Sequence, residues 1–111
     1  MIVIATRVLT LRRPGGNIEI PICIYAPRQK HGDWFCKFEI GWPDGTLSMD
    51  AGGVDAVQAL QLALQMIGAF IYSSDHHKAG NLAWGEPGKG YGFPVTGGLR
   101  DMLIGDDKKF L

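Results

Sequence analysis

A chain of 111 residues that is 46% apolar is long enough for one domain with its own core, and its composition excludes a disordered polymer. Its 11 basic and 11 acidic residues cancel, which argues against a general binder of nucleic acid or anionic membranes. Two cysteines, no secretory pattern at the start and no apolar run of about 18 residues predict a cytoplasmic protein without disulfides or a membrane span.

Residues 2–12 are rich in β-branched side chains and read as a first strand, apolar on both faces and so an inner one. Pro14-Gly15-Gly16-Asn17 is a turn signal. Residues 17–25 alternate, with Ile18, Ile20, Ile22 and Ile24 on one side and Glu19, Pro21, Cys23 and Tyr25 on the other. Pro21 has no N–H to give a ladder, which predicts a bulge or an edge-facing position. Residues 26–33 read as a polar loop. In 34–41, Trp34, Cys36, Phe38 and Ile40 share a face opposite Phe35, Lys37 and Glu39. Trp42-Pro43-Asp44-Gly45 is a tight turn before a short fourth strand at 46–51. Every connection is too short for a parallel crossover, so the strands form an antiparallel meander.

Residues 52–74 carry the helical signal. Asp55 and Gln58 are spaced as a capping box, with Gln58 reaching back to the cap residue's own N–H. Val57, Leu60, Leu64, Ile67 and Ile71 follow the spacing of one buried face. Leu62, Met66, Ala69 and Phe70 extend the apolar surface around the cylinder, beside a polar strip of Gln58, Gln61 and Gln65. No charged residue lies between Asp55 and Asp75, so the helix is expected to be covered on a second side. That cover is either the C-terminal segment or a second copy, which makes Leu62, Met66 and Phe70 the candidate homodimer interface.

Beyond the helix, Asp75-His76-His77-Lys78 places cations near its negative end. Residues 82–85 read as a short extended piece, 85–94 as a Gly/Pro loop studded with aromatics, and Leu99, Met102 and Leu103 as a short terminal helix. The expected architecture is α+β: a four-stranded antiparallel meander, then one long helix on one face (ββββα), then an aromatic, Gly-rich C-terminal loop region. It is read as one domain over 1–111, with a core at 2–94 and a tail at 95–111.

Few residues suggest chemistry. Adjacent His76 and His77 would point about 100° apart on a helix and chelate one ion poorly, and His31 is far off in sequence, so neither a metal nor a cofactor is expected. The run Gly88-Lys89-Gly90-Tyr91-Gly92 lacks the ending of a phosphate-binding loop. It reads first as a surface loop anchored by Trp84, Tyr91 and Phe93. Its functional version is a shallow groove lined by Trp84, Tyr91 and Phe93 with Lys89 at the mouth, and these four are the candidate ligand residues. Cys36 shares the Trp34/Phe38 face and is expected to be buried and inert, while Cys23 lies across the sheet, out of bridging range. Glu19 and Glu39 have no acid/base partner, and no catalytic residue is assigned.

The segments ATRVLTLR, GDWFCKFEI and GVDAVQALQLAL, with Trp84-Gly85 and Gly92-Phe93-Pro94, resemble the DUF6968 family of small bacterial proteins over residues 4–94. That resemblance implies a domain boundary and no activity. The expected function is a non-enzymatic interaction module, a homodimer with room for an unidentified protein partner. The alternative is a small-molecule binding protein or enzyme using the 84–94 loop with His76 or His77.

Overall fold

The computed structural model describes all 111 residues. Five strands come first: β1 (Val3–Leu11), β2 (Ile18–Tyr25), β3 (Arg28–Lys30), β4 (Asp33–Trp42) and β5 (Gly45–Gly53). The helices α1 (Ala56–Ser73) and α2 (Asp75–Lys78) follow, then β6 (Leu82–Ala83), a 3-10 helix (Gly97–Met102) and α3 (Gly105–Phe110). All pairings are antiparallel. β5 takes one edge of β4, β3 and β2 share the other, and β1 lies between β2 and β6. The class is α+β, with a six-stranded sheet where four strands were expected.

The two extra strands had weak sequence signals. The supposed polar loop 26–33 folds as a hairpin, with His31 (φ 52°) and Gly32 (φ 87°) making a two-residue turn that pairs Lys30 with Asp33. Its strand, Arg28-Gln29-Lys30, has no apolar alternation to reveal it. β6 is two residues long and exists because β1 offers it an edge at Thr10 and Leu11.

The inner face of the sheet is the core. Leu9, Ile20, Ile22, Cys36, Phe38 and Ile40 have no exposed surface, and each of the large ones contributes about 1.5–3 kcal/mol by burial. Register explains the shared face: Ile22 stands opposite Ile40 and Ile24 opposite Phe38. The β2–β4 ladder stops at Ile22, one residue short of Pro21. There the proline ring packs on Gly41, where an added Cβ would lie 2.9 Å from Pro21 Cγ. Pro21 thus ends an internal ladder. Cys23 and Cys36 are both free, the first half-buried and the second fully buried.

α1 lies across this face. Asp55 caps it, its Oδ1 accepting the Gln58 N–H at 2.8 Å. The Gln58 side chain reaches one residue further than a capping box, accepting the Val54 N–H at 2.7 Å. The buried stripe runs Ala59, Ala63, Ile67 and Ile71, two alanines bringing the first half of the helix close to the sheet. Val57, expected in that stripe from its spacing, is 72% exposed, because the first half of the helix meets the sheet through Ala59 and Ala63 while Ile67 and Ile71 bury as expected. Gly68 and Tyr72 are buried about 100° round from that stripe, Gly68 where residues 94–95 cross the helix and Tyr72 against Asp107. α1 is also long and apolar enough to cross a membrane by length and composition, with a mean hydropathy of 1.3 over 18 residues; here its sheet-facing stripe belongs to the core.

Candidate functional site

The 84–94 loop is set in place by β1 and by its own glycines. After β6, Gly85, Gly88, Gly90 and Gly92 all take positive φ, between 66° and 92°. Two of these are also required by close approach. A Cβ on Gly90 would sit 2.5 Å from the Asp107 carboxyl carbon, and one on Gly92 2.5 Å from the Trp84 ring. Arg7 holds the returning strand: its Nη1 donates to the Tyr91 and Gly92 carbonyls at 3.0 and 3.1 Å. Its guanidinium stacks 3.8 Å from the Trp84 ring centroid and 4.8 Å from that of Phe93. Burial lowers the Arg7 pKa, opposed by the negative charge of Asp107. Arg7 is therefore a packed cation, held between aromatic rings and backbone carbonyls.

The glycine-rich run does hold an anion, one supplied by the chain. Asp107, on α3 and 2% exposed, accepts the Tyr91 N–H at 2.8 Å through Oδ2 and the Gly92 N–H at 2.7 Å through Oδ1. The Tyr72 hydroxyl donates to Oδ2 at 2.5 Å. Backbone N–H groups in a left-handed turn form such cradles for anions in general. Tyr91 continues the network: its hydroxyl lies 2.6 Å from His77 Nδ1 and donates to the Leu82 carbonyl at 3.3 Å. The rings of Tyr72, His77 and Tyr91 meet edge to face, with centroids 4.8–5.5 Å apart. Every buried side-chain nitrogen and oxygen has a partner, so this is a satisfied network that ties α1, α2, the loop and α3 together.

These contacts separate the four candidate ligand residues. Tyr91 and Phe93 are 2% and 3% exposed and belong to the core. Trp84 and Lys89 line a cleft of about 610 Å³ with Glu86, Asp106 and Phe110, floored by Gly90, Gly92 and Asp107. His76 and His77 are not in its lining. His76 stacks on Trp42, ring centroids 5.3 Å apart, and His77 is turned into the network. Leu62, Met66 and Phe70 are half-buried and packed against the core, with Phe70 6.2 Å from Phe38 between ring centroids. Sequence reasoning missed Asp107, which reads as one more charged residue in the run Asp106-Asp107-Lys108-Lys109. Nothing local marks it as buried.

The titratable groups follow their surroundings. Burial raises the Tyr72 pKa, helped by its bond to Asp107, and pushes Tyr91 up to about 12. Burial also raises the Cys36 thiol, which donates to the Tyr25 carbonyl at 3.3 Å, so it is a poor nucleophile. Burial lowers His77 from its ordinary 6.5. The unfolded chain then binds a proton at His77 more readily than the folded one, so stability is present above about 6.5 and is lost as the pH falls from there through the folded value. Urea titrations at stepped pH are expected to show this acid-side loss, and His77→Gln is expected to remove His77's share of it.

The chain belongs to the family described as a domain of unknown function, DUF6968, whose model matches residues 5–95. Asp107 is supplied from beyond the matched residues. No curated protein and no solved structure matches the chain.

Proposed function

We propose that this protein is a non-enzymatic interaction module that self-associates through the free edge of β1. One observation carries the reading: the β1–β6 ladder covers only Thr10 and Leu11, leaving the rest of that edge open beside a run of exposed apolar side chains. Met1, Ile2, Val3, Ile4 and Val8 are 44–73% exposed. Arg12 donates its N–H to Asn81 on the β6 side, so by the alternation of a strand the backbone groups of Thr10, Val8 and Thr6 face the same way. Those of Val8 and Thr6 lie beyond the ladder. A long apolar strand edge with open backbone groups is a template for another strand.

A second copy is the natural occupant, because an antiparallel edge is complementary to itself about a two-fold axis. Pairing centred on Thr6 puts Arg7 opposite Ala5 of the other copy and keeps the two guanidinium groups apart. The groups that could otherwise do chemistry are committed to packing: His77 to Tyr91, Asp107 to three donors, and Cys36 to the core.

Native mass spectrometry over a concentration series is expected to give twice the chain mass. Thr6→Pro, which removes an edge-facing N–H, and Val8→Lys, which charges the edge, are expected to yield monomers. Leu62→Glu with Met66→Glu tests the helix face instead. A dimer that survives both edge substitutions, or a monomer at every concentration, overturns the edge reading.

A further inference from the structure

We infer that the cleft between the 84–92 loop and α3 binds an organic cation, a guanidinium or ammonium group carried on an apolar stem. The walls are aromatic: Trp84 is 42% and Phe110 73% exposed, both lining a cleft of about 610 Å³. That volume lies within the usual range for small-ligand sites, about 300–1,000 Å³. Its lining residues carry the carboxylates of Glu86, Asp106 and Asp107 and the ammonium of Lys89, while Arg7 already stacks on Trp84 and Lys109 Nζ stands 5.6 Å from the Phe110 ring centroid. Neither Glu86, Lys89 nor Asp106 is in an ion pair, the one pair in the protein being Arg28 with Asp50 at 3.0 Å. Two carboxylates on the rim are therefore free to meet a charge from outside.

The loop already practises this chemistry on itself. Arg7 is held by the Trp84 and Phe93 rings and by two carbonyls, with Asp107 supplying the opposite charge. An anion, by contrast, finds the cradle taken: the Tyr91 and Gly92 N–H groups both point at Asp107. Among the lining residues it would have Lys89 alone, beside Glu86 and Asp106, which repel it. Lys89 therefore opposes the ligand across the cleft.

The cation could be a free amine or a basic side chain of a peptide, and two probes separate these: agmatine and a capped Gly-Arg-Gly peptide. The readout is the Trp84 indole N–H resonance of the full chain during titration, with acetate and inorganic phosphate as anionic controls. Binding of agmatine alone assigns a free amine, and binding of the peptide with equal or greater affinity assigns a basic side chain. Glu86→Gln with Asp106→Asn, both exposed positions that the fold does not use, is expected to weaken binding about tenfold. Lys89→Ala is expected to strengthen it, and the opposite sign overturns the inference. So does a response to acetate or phosphate without one to either cation, an affinity unmoved by the double variant, or no shift from either cation at about 20 mM, above the millimolar range of weak ligands.

Discussion

Asp107→Ala is expected to cost about 3–5 kcal/mol of stability, read as a fall in the urea midpoint with the slope unchanged. The substitution removes an acceptor from three donors at once: the Tyr91 and Gly92 N–H groups and the Tyr72 hydroxyl. Hydrogen bonds to a charged group are worth about 1.5–3 kcal/mol each, and a buried donor left without a partner carries its full desolvation cost. Water entering from the adjacent cleft offsets part of this, which keeps the expectation below the plain sum. The loss is not local, because Asp107 joins α3 to the loop, the loop to β1 through Arg7, and α3 to α1 through Tyr72. Asp107→Asn keeps one acceptor oxygen and should fall between the wild type and Asp107→Ala. A loss under about 1 kcal/mol for the alanine variant would mean that the network is decoration on a fold held elsewhere.

The same residue shows where sequence reasoning stops. Period-two alternation found the inner face of the sheet, because Ile20, Ile22 and Ile24 or Cys36, Phe38 and Ile40 cannot all face water. Asp55 with Gln58 marked the start of the helix, because a cap acts within four residues. Arg28–Lys30 escaped because its strand state comes from a neighbour already in place, not from its own pattern, while Leu82–Ala83 was legible as extended but not as part of the sheet. The site divides the same way. Trp84 reads as an anchoring or groove-lining aromatic and Lys89 as a cation at the groove's mouth, and both line the cleft. Asp107, Arg7 and Tyr72 meet across 35 to 100 residues of chain, and their roles as anion, stacked cation and buried donor exist only in the fold. The glycine run lacks a phosphate-binding ending, yet its positive φ values make an anion cradle, and the chain fills it with its own carboxylate.

Gly68→Ala reverses the sign that helix propensity assigns. In an exposed helix interior the change stabilises by about 0.8–1 kcal/mol, since glycine loses the most backbone freedom on folding. At position 68 an added Cβ overlaps the carbonyl oxygen of Pro94 and comes within 3.1 Å of Val95 Cγ1. Pro94 meets it with backbone, so no side-chain rotation relieves the clash, and the 94–95 crossing must lift from the helix. Lifting it also loosens Val95 and pulls on Phe93, both buried against the core. Overpacking of this kind costs about 1–3 kcal/mol, more than the propensity gain, so a net loss of stability is expected. Gly98→Ala is the control: nothing lies within 4 Å of its added Cβ, and it should be close to neutral. If Gly68→Ala instead raised the urea midpoint, residues 94–95 would be a loose cover over α1, and the flank of the helix at Gly68 would be open to a partner. The single glycine in an otherwise strong helix is thus a direct test of whether the chain covers its own helix.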